Sequence, residues 1–350
     1  LDEAAQQRAV STLKQFSQRL RDFPSAAVRA VGTNTLRAAR NTAEVLPRFE
    51  EALGFPIEIV AGREEARLIY IGVAHGLAPS AEKRLVVDIG GGSTEFIIGS
   101  GHTPQLTESL YMGCVSWSLR YFPEQRLSKS NMKKAEVAAR IELEAIRKQF
   151  GSKHWSEAIG SSGTASAISE VLESCGWCES GINRAGLEKL RSAIIDSGHI
   201  AKIDLPGLRG DRLPVLPGGV AIMKAVFDEL DVSHMKIASG AMRQGILWDM
   251  IGRSRRKDTR EATVRQFMKR YHVDTVQARR VERLARKLYE QFSTGNNLEY
   301  GVQLLSWAAR LHEIGLSVAH SGFHKHSAYI VSNADMPGFS RMEQQHTALL

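Results

Sequence analysis

Between two runs of β-forming residues, Leu85–Ile89 and Thr94–Ile98, the chain reads Asp88-Ile-Gly-Gly-Gly-Ser-Thr-Glu95. The apolar residues on both sides favour a pleated, buried surface. Consecutive glycines are poor helix formers, so the stretch predicts a β-hairpin closed by a glycine turn. Glycines let the backbone approach an anion closely, and successive N–H groups in such a turn form an anion-binding nest. Ser93 and Thr94 add hydroxyl donors. Asp88, ending a buried strand, is a hard oxygen ligand suited to Mg²⁺ directly or through water. A hairpin turn of type I′ or II′ without any ligand would use the same glycines.

Around this hairpin, strand-like and helical stretches alternate. Ala26–Val31 and Pro56–Val60 read as strands, and Thr35–Leu53 and Glu64–Val73 as helices. Met132–Phe150 reads as a helix, and Glu157–Glu173 as strand, Gly/Ser turn and helix. After a loop-rich middle come a helix at Gly219–Leu230, a strand at His234–Ala238, a Ser239-Gly240 turn and a helix at Ala241–Met250. This alternation predicts an α/β layer on a mostly parallel sheet. The character changes at Ile251. From there only helical periodicity is evident, with Val281, Leu284, Leu288 and Phe292 on one face, so a boundary to an all-α segment is expected near 251. The adjoining Gly252–Arg270 is strongly basic, opposed only by Asp258 and Glu261.

Lys and Arg number 46 against 38 Asp and Glu in 350 residues, a net charge of +8. That excess favours anionic partners and leaves nucleic acid, nucleotides, an anionic membrane surface and polyphosphates open. The 43% hydrophobic share excludes disorder, and no apolar run reaches the roughly 18 residues of a membrane helix. Cys114, Cys175 and Cys178 are too few for a disulfide framework and fit a reducing compartment, hence the cytoplasm. Cys175 and Cys178 have zinc-knuckle spacing but lack a second ligand pair. The chain opens at Leu1 within an amphipathic helix, as a piece of a longer protein would.

Three further features carry chemistry. Glu64 and Glu65 open the helix after Gly62, where the positive helix end keeps a carboxylate ionised. Either is a candidate general base for a water attacking phosphorus. Arg37 and Arg40 follow Gly32-Thr-Asn-Thr35 and are placed to grip phosphate oxygens. Gly160-Ser-Ser-Gly163-Thr164 joins a strand to a helix, a place that favours anions.

Taken in order, Gly32-Thr-Asn-Thr-Leu-Arg37, Gly62-Arg-Glu-Glu-Ala-Arg-Leu68, Val87–Glu95, Met112-Gly-Cys-Val-Ser116, Gly160–Thr164, Ser239-Gly-Ala-Met-Arg243, Leu311–Gly315 and His320–His324 make a specific set. With them the chain resembles the exopolyphosphatase/guanosine pentaphosphate phosphohydrolase family from end to end. The resemblance implies a ribonuclease H-like, actin/Hsp70-type α/β core with a C-terminal all-α domain similar to HD phosphohydrolases. The expected domains are 1–68, a partial N-terminal α/β domain; 69–250, a second ribonuclease H-like domain; and 251–350, the helical HD-like domain. It also implies an earlier glycine/serine phosphate loop upstream of Leu1 and further chain beyond Leu350, so that the sequence is truncated at its N-terminus.

By the same resemblance Glu65 is the catalytic base and Asp88 serves the metal. Gly90, Gly91, Gly92 and Ser93 hold phosphate, Arg37 approaches the same site, and Glu95 is a further acid of the cleft. Gly163 and Thr164 join the phosphate-binding set. The implied reaction is release of orthophosphate from the end of inorganic polyphosphate, with Mg²⁺ and a monovalent cation such as K⁺ as cofactors and a homodimer as the assembly. Arg255, Arg256, Lys257, Lys269 and Arg270 would form a track for the rest of the chain. Guanosine pentaphosphate, cleaved to the tetraphosphate, is the alternative substrate; the Gly-Gly-Gly-Ser loop and the histidine-rich helical segment lean towards polyphosphate. From other classes, an ATPase or sugar kinase of this fold and a non-catalytic polyphosphate or RNA binder remain open. His312, Glu313, His320, His324, His326 and Asp335 are a second candidate metal cluster.

Overall fold

The computed structural model describes residues 1–78, 80–254, 258–292 and 298–350. The chain forms two compact units, one of Leu1–Glu64 with Met250–Leu350 and one of Glu65–Asp249. The sequence suggested divisions at 68/69 and 250/251; the structure gathers the first and last segments into a single unit.

In that unit β1 (Ala30–Gly32) and β2 (Ile57–Ile59) pair in parallel, Ala30 opposite Ile57. Val45, Phe49, Leu53 and Ile57 form their small core, with Val10 and Leu13 of helix Glu3–Leu20 packed on it. The single helix expected over Thr35–Leu53 is two, Asn34–Ala38 and Thr42–Leu53. The Thr42 hydroxyl lies within hydrogen-bond reach of the Leu36 and Ala39 carbonyls, which turns the chain between them. From Thr259 on, the described residues carry helices and no strands: Thr259–Arg270, Thr275–Phe292, Leu298–Leu311, Phe323–Asn333 and Arg341–Leu349. Val264, Phe267, Trp307, Leu311 and Phe339 are the core of this part.

The other unit is built on six strands: β3 (Lys83–Ile89), β4 (Thr94–Ser100), β5 (Thr103–Leu110), β6 (Glu157–Ser161), β7 (Ile182–Asn183) and β8 (His234–Ile237). Their order is β5-β4-β3-β6-β8-β7. The strands β3, β4 and β5 form an antiparallel meander, while β6 and β8 run parallel to β3. This is the ribonuclease H-like order with one short antiparallel strand added at the edge. The sheet is therefore mixed rather than mostly parallel. Strand β5 escaped the sequence reading because Thr103-Pro-Gln-Leu-Thr-Glu-Ser-Leu110 is a polar edge strand with few apolar positions. The loop-rich middle contains a helix, Arg184–Ser197, capped by the Asn183 side chain.

Side chains alternate between the two sheet faces. Leu85, Val87, Ile89, Phe96 and Ile98 enter the main core, together with residues of helices Cys114–Tyr121, Lys129–Phe150, Ser162–Ser174 and Leu216–Glu229. On the opposite face Val86, Ile97 and Ile159 pack with Ala66, Ile69 and Val73 of helix Gly62–His75.

Candidate active site

The face under helix Gly62–His75 changes character at one end. Two residues on from Val86 in β3 stands Asp88; two residues before Ile97 in β4 stands Glu95; two on from Ile159 in β6 stands Ser161. By the period of two these share the face of the apolar row. The register puts Glu95 opposite Asp88 and Ser161 beside it. Directly opposed residues of an antiparallel pair have Cβ atoms about 4.5–5.5 Å apart. Asp88, Glu95 and Glu65 are all buried.

Burial pushes the Asp88 carboxyl above its usual range, against hydrogen bonds from Ser161 and Ser162 that favour the ionised form. Glu95 is raised well above the ordinary value, first by burial, then by the charges of Glu65 and Asp88; Ser93 and Ser109 oppose this. The Ser109 hydroxyl donates to Oε1 of Glu95 at 2.8 Å, while Oε2 has no hydrogen-bond partner. Three carboxylates thus share a buried corner furnished with hydroxyls.

The neighbouring glutamates part company. Oε2 of Glu64 accepts the Gly338 N–H at 2.9 Å, a hydrogen bond inside the unit that contains the helical segment. Glu65 acts electrostatically on Glu95 in the sheet unit.

The glycine turn is held by its carbonyls. Cys114 N–H donates to Gly90 O at 2.9 Å, and Val115 and Ser116 donate to Gly91 O at 3.0 and 3.1 Å. The peptides are trans, so the N–H groups of Gly91 and Gly92 point away from helix Cys114–Tyr121. Neither Gly90 nor Gly91 has a left-handed backbone, which excludes a type I′ turn centred on Gly90 and Gly91. Ser93 is buried and favours the ionised form of Glu95.

The second turn lies beside the first. The Ser162 and Thr164 hydroxyls both lie within hydrogen-bond reach of Ile89 O, at 3.0 and 2.9 Å. Thr164, expected to bind phosphate, has its donor committed to the backbone and ties this turn to the end of β3. Ser162 has a φ of 74°, uncommon for a residue with a side chain. A side chain at Gly163 would overlap the Arg212 guanidinium, so this glycine makes room for an arginine. Ser161 and Ser162 belong to the Gly160–Thr164 turn already singled out, whereas sequence reasoning passed over Arg212 and Ser109, which depend on chain folding back from afar.

Further candidates belong to the other unit. Arg37, in the other unit, donates from Nη1 to Val60 O at 2.8 Å and is half-buried rather than solvated. Lys269 and Arg270 are exposed in the last turn of Thr259–Arg270, with the Arg270 guanidinium over the Tyr271 ring. Arg255, Arg256 and Lys257 lie outside the described residues. The six-residue C-terminal set does not come together as a metal site: among the described residues no three His, Cys, Asp or Glu are grouped to hold an ion. His312 Nδ1 instead meets Ala309 O, and Asp335 pairs with Arg63. Cys175 and Cys178 are free thiols. No helix among the described residues is long and apolar enough to cross a membrane.

The sheet of the Glu65–Asp249 unit thus has the ribonuclease H-like order, with acids at its strand ends and backbone turns beside them. The chain belongs to the Ppx/GppA phosphatase family, which matches residues 1–254, with the family's domain III matching 259–350. Its fold is similar to that of an exopolyphosphatase from Cytophaga hutchinsonii (TM-score 0.63, 21% identity, 71% of this chain and 83% of that one). It is also similar to a Ppx/GppA enzyme of Aquifex aeolicus (TM-score 0.57, 22% identity, 71% and 83%).

Proposed function

We propose that the protein hydrolyses the terminal phosphoanhydride bond of inorganic polyphosphate and releases orthophosphate. The observation that carries this reading is the buried corner of Glu65, Asp88 and Glu95 next to the glycine turn. Glu65 orients the attacking water and takes its proton. The turn Gly90–Ser93 receives the terminal phosphate with backbone N–H groups. Positioning and electrostatics carry most phosphoryl transfer, so one base and a dense donor array suffice. The family name, the similar Cytophaga hutchinsonii protein named an exopolyphosphatase, and the +8 net charge support an anionic phosphoanhydride substrate.

The acids fit Mg²⁺. The donors are carboxylate and hydroxyl oxygens, and the unpartnered Oε2 of Glu95 is a buried acceptor awaiting a positive charge. An open set of one or two carboxylates completed by substrate and water is how Mg²⁺ is commonly held. Asp88 and Glu95 would hold it, and when bound it supplies charge neutralisation for the transferring phosphoryl group. Glu95, with its raised pKa, retains a proton more readily than an exposed glutamate when no cation is present.

Phosphate release from long-chain polyphosphate, guanosine pentaphosphate and ATP, compared side by side with and without Mg²⁺, tests the proposal. Release is expected to be fastest from polyphosphate and to need Mg²⁺. Faster release from guanosine pentaphosphate would transfer the activity to that substrate, and none from any of the three would leave a binding protein.

A further inference from the structure

Helix Thr275–Phe292 turns one face to helix Leu298–Leu311. Ala278 is fully buried, the Ser306 hydroxyl donates to Oε1 of Glu282, and a side chain at Gly301 would overlap the Tyr289 ring. Leu284 and Leu288, which the sequence sets on one face with Val281, instead stand 59% and 46% exposed, and Val276 is 76% exposed.

At 3.6 residues per turn, Val276, Arg280, Arg283, Leu284, Lys287 and Leu288 share one outward face, and all are exposed. Arg279 and Arg286 flank that face and are exposed too. No acid stands among these cations: Glu282 is turned to Ser306, and Glu290 lies beyond Lys287. Among the described residues none of these cations forms an ion pair, whereas Arg29, Arg48, Arg260 and Arg310 of the same unit each meet an acid.

The solvent face of a helix is ordinarily charged or polar, so charge alone would not single this one out. The aliphatic side chains set between unpaired cations do. A partner that covers the face must bring negative charge together with apolar surface. A polyphosphate chain has no apolar atoms and would leave Val276, Leu284 and Leu288 in water. The bases of a single-stranded nucleic acid stack on aromatic side chains, and this face carries none. Cations and aliphatics on one helical face suit a helix lying in the plane of a bilayer surface, with the cations at anionic headgroups and the aliphatics among the upper acyl carbons.

We infer that the outward face of helix Thr275–Phe292 docks the protein on an anionic phospholipid surface. Arg280, Arg283 and Lys287 meet the headgroups, and Val276, Leu284 and Leu288 enter the boundary of the hydrocarbon. The helix lies on the bilayer and does not cross it. The inference does not depend on the reading of the acidic corner in the other unit.

Co-sedimentation with vesicles tests it, using phosphatidylcholine alone and phosphatidylcholine mixed with phosphatidylglycerol. Wild-type protein is expected to bind the mixed vesicles, to leave them as salt screens the headgroups, and to ignore phosphatidylcholine. Arg280→Gln, Arg283→Gln and Lys287→Gln in one chain should weaken partitioning about a hundredfold, at about fivefold for each cation. Leu284→Gln with Leu288→Gln should weaken it about tenfold while keeping its salt dependence. All five positions are exposed, and an unchanged thermal midpoint in each variant separates lost binding from lost fold. Wild-type protein that ignores the mixed vesicles, or a triple variant that binds them as well as wild type, overturns the inference. Wild-type binding in the leucine variant overturns it as well, because a face that works by charge alone would suit any polyanion. A wild-type dimer that the leucine variant splits, with no vesicle binding by either, would assign the face to a second copy of the chain.

Discussion

In the helical part of the first unit, Asp258, Glu261 and Glu343 lie beside Arg260 and Arg310; in the sheet unit, Glu65, Asp88 and Glu95 lie beside serines and one another. Burial pushes Asp258 up, but Arg260 outweighs it and holds the carboxyl below its usual range. Arg260 also pairs with Glu343 and stacks over the Trp307 ring, and Arg310 donates to both oxygens of Glu261. With Arg253, whose charge also lowers Asp258, three acids face three arginines and that cluster is balanced in charge. In the sheet unit, burial raises the carboxyls of Asp88 and Glu95, and at Glu95 the charges of Glu65 and Asp88 add to it. Balanced clusters hold a fold together; an unbalanced one costs stability and marks a place where a cation or a proton is handled.

The sharpest break in this comparison is Glu65→Gln. It should lower polyphosphate turnover about 10²–10⁴-fold while leaving binding nearly intact, as loss of a base alone does. Glu64→Gln, whose oxygen can still accept the Gly338 N–H, should leave turnover close to wild type. Steady-state rates with a direct binding measurement separate the two; equal loss from both would mean that the adjacent acids work as one.

Next in size is Glu343→Ala in the balanced cluster. It removes a partner of the buried Arg260 and the Ser340 N–H bond of the helix cap. A loss of about 3 kcal/mol in unfolding free energy is expected, with turnover per folded molecule unchanged. Denaturant unfolding and active-site titration check both halves. A fall in turnover without loss of stability would give the helical part a role in chemistry.

The smallest effect is the most discriminating. A carboxyl raised by folding binds its proton in the native state at pH values where the unfolded chain has released it. Stability therefore falls as pH rises from the ordinary carboxyl range towards the raised value. Asp258, lowered by folding, contributes stability above the ordinary range that is lost as pH falls through its native value. Glu95→Gln should accordingly stabilise the protein at neutral pH, and Asp258→Asn should destabilise it there, each by an amount on the order of 1 kcal/mol. Thermal midpoints between pH 3 and 8 should give difference curves of opposite slope. Parallel curves would remove the contrast between the clusters.

Much of this was legible beforehand. The hairpin from Leu85 to Ile98 is local, so sequence alone placed Asp88 and Glu95 at its two ends, and the switch to helices near 251 followed from periodicity. Helix Arg184–Ser197 had its signals, Asn183 before it, Gly198 after it and Leu187, Leu190 and Ile194 between, but Gly186 and the surrounding turns masked them. Ser109 reaches Glu95 from strand β5, and Arg212 reaches Gly163 from a 3₁₀ turn. Such meetings are fixed by tertiary packing, and no local pattern encodes them. Only resemblance separates Glu64 from Glu65 as the base, since the two are neighbours with the same side chain and no local pattern distinguishes them.

The carbonyls of Gly90 and Gly91 are fastened to the first turn of helix Cys114–Tyr121, and the helix in turn packs Cys114 and Trp117 into the main core. A three-glycine loop left loose would have the largest conformational freedom of any segment its size, and a phosphate arriving there would have to order it. Ordering a backbone residue costs about 1–2 kcal/mol at 25 °C. Here that entropy is surrendered when the protein folds, so an anion binding as proposed would meet peptide groups already facing one way. Affinity for the phosphate end can then come from the contacts themselves, undiminished by the disorder that glycine ordinarily brings.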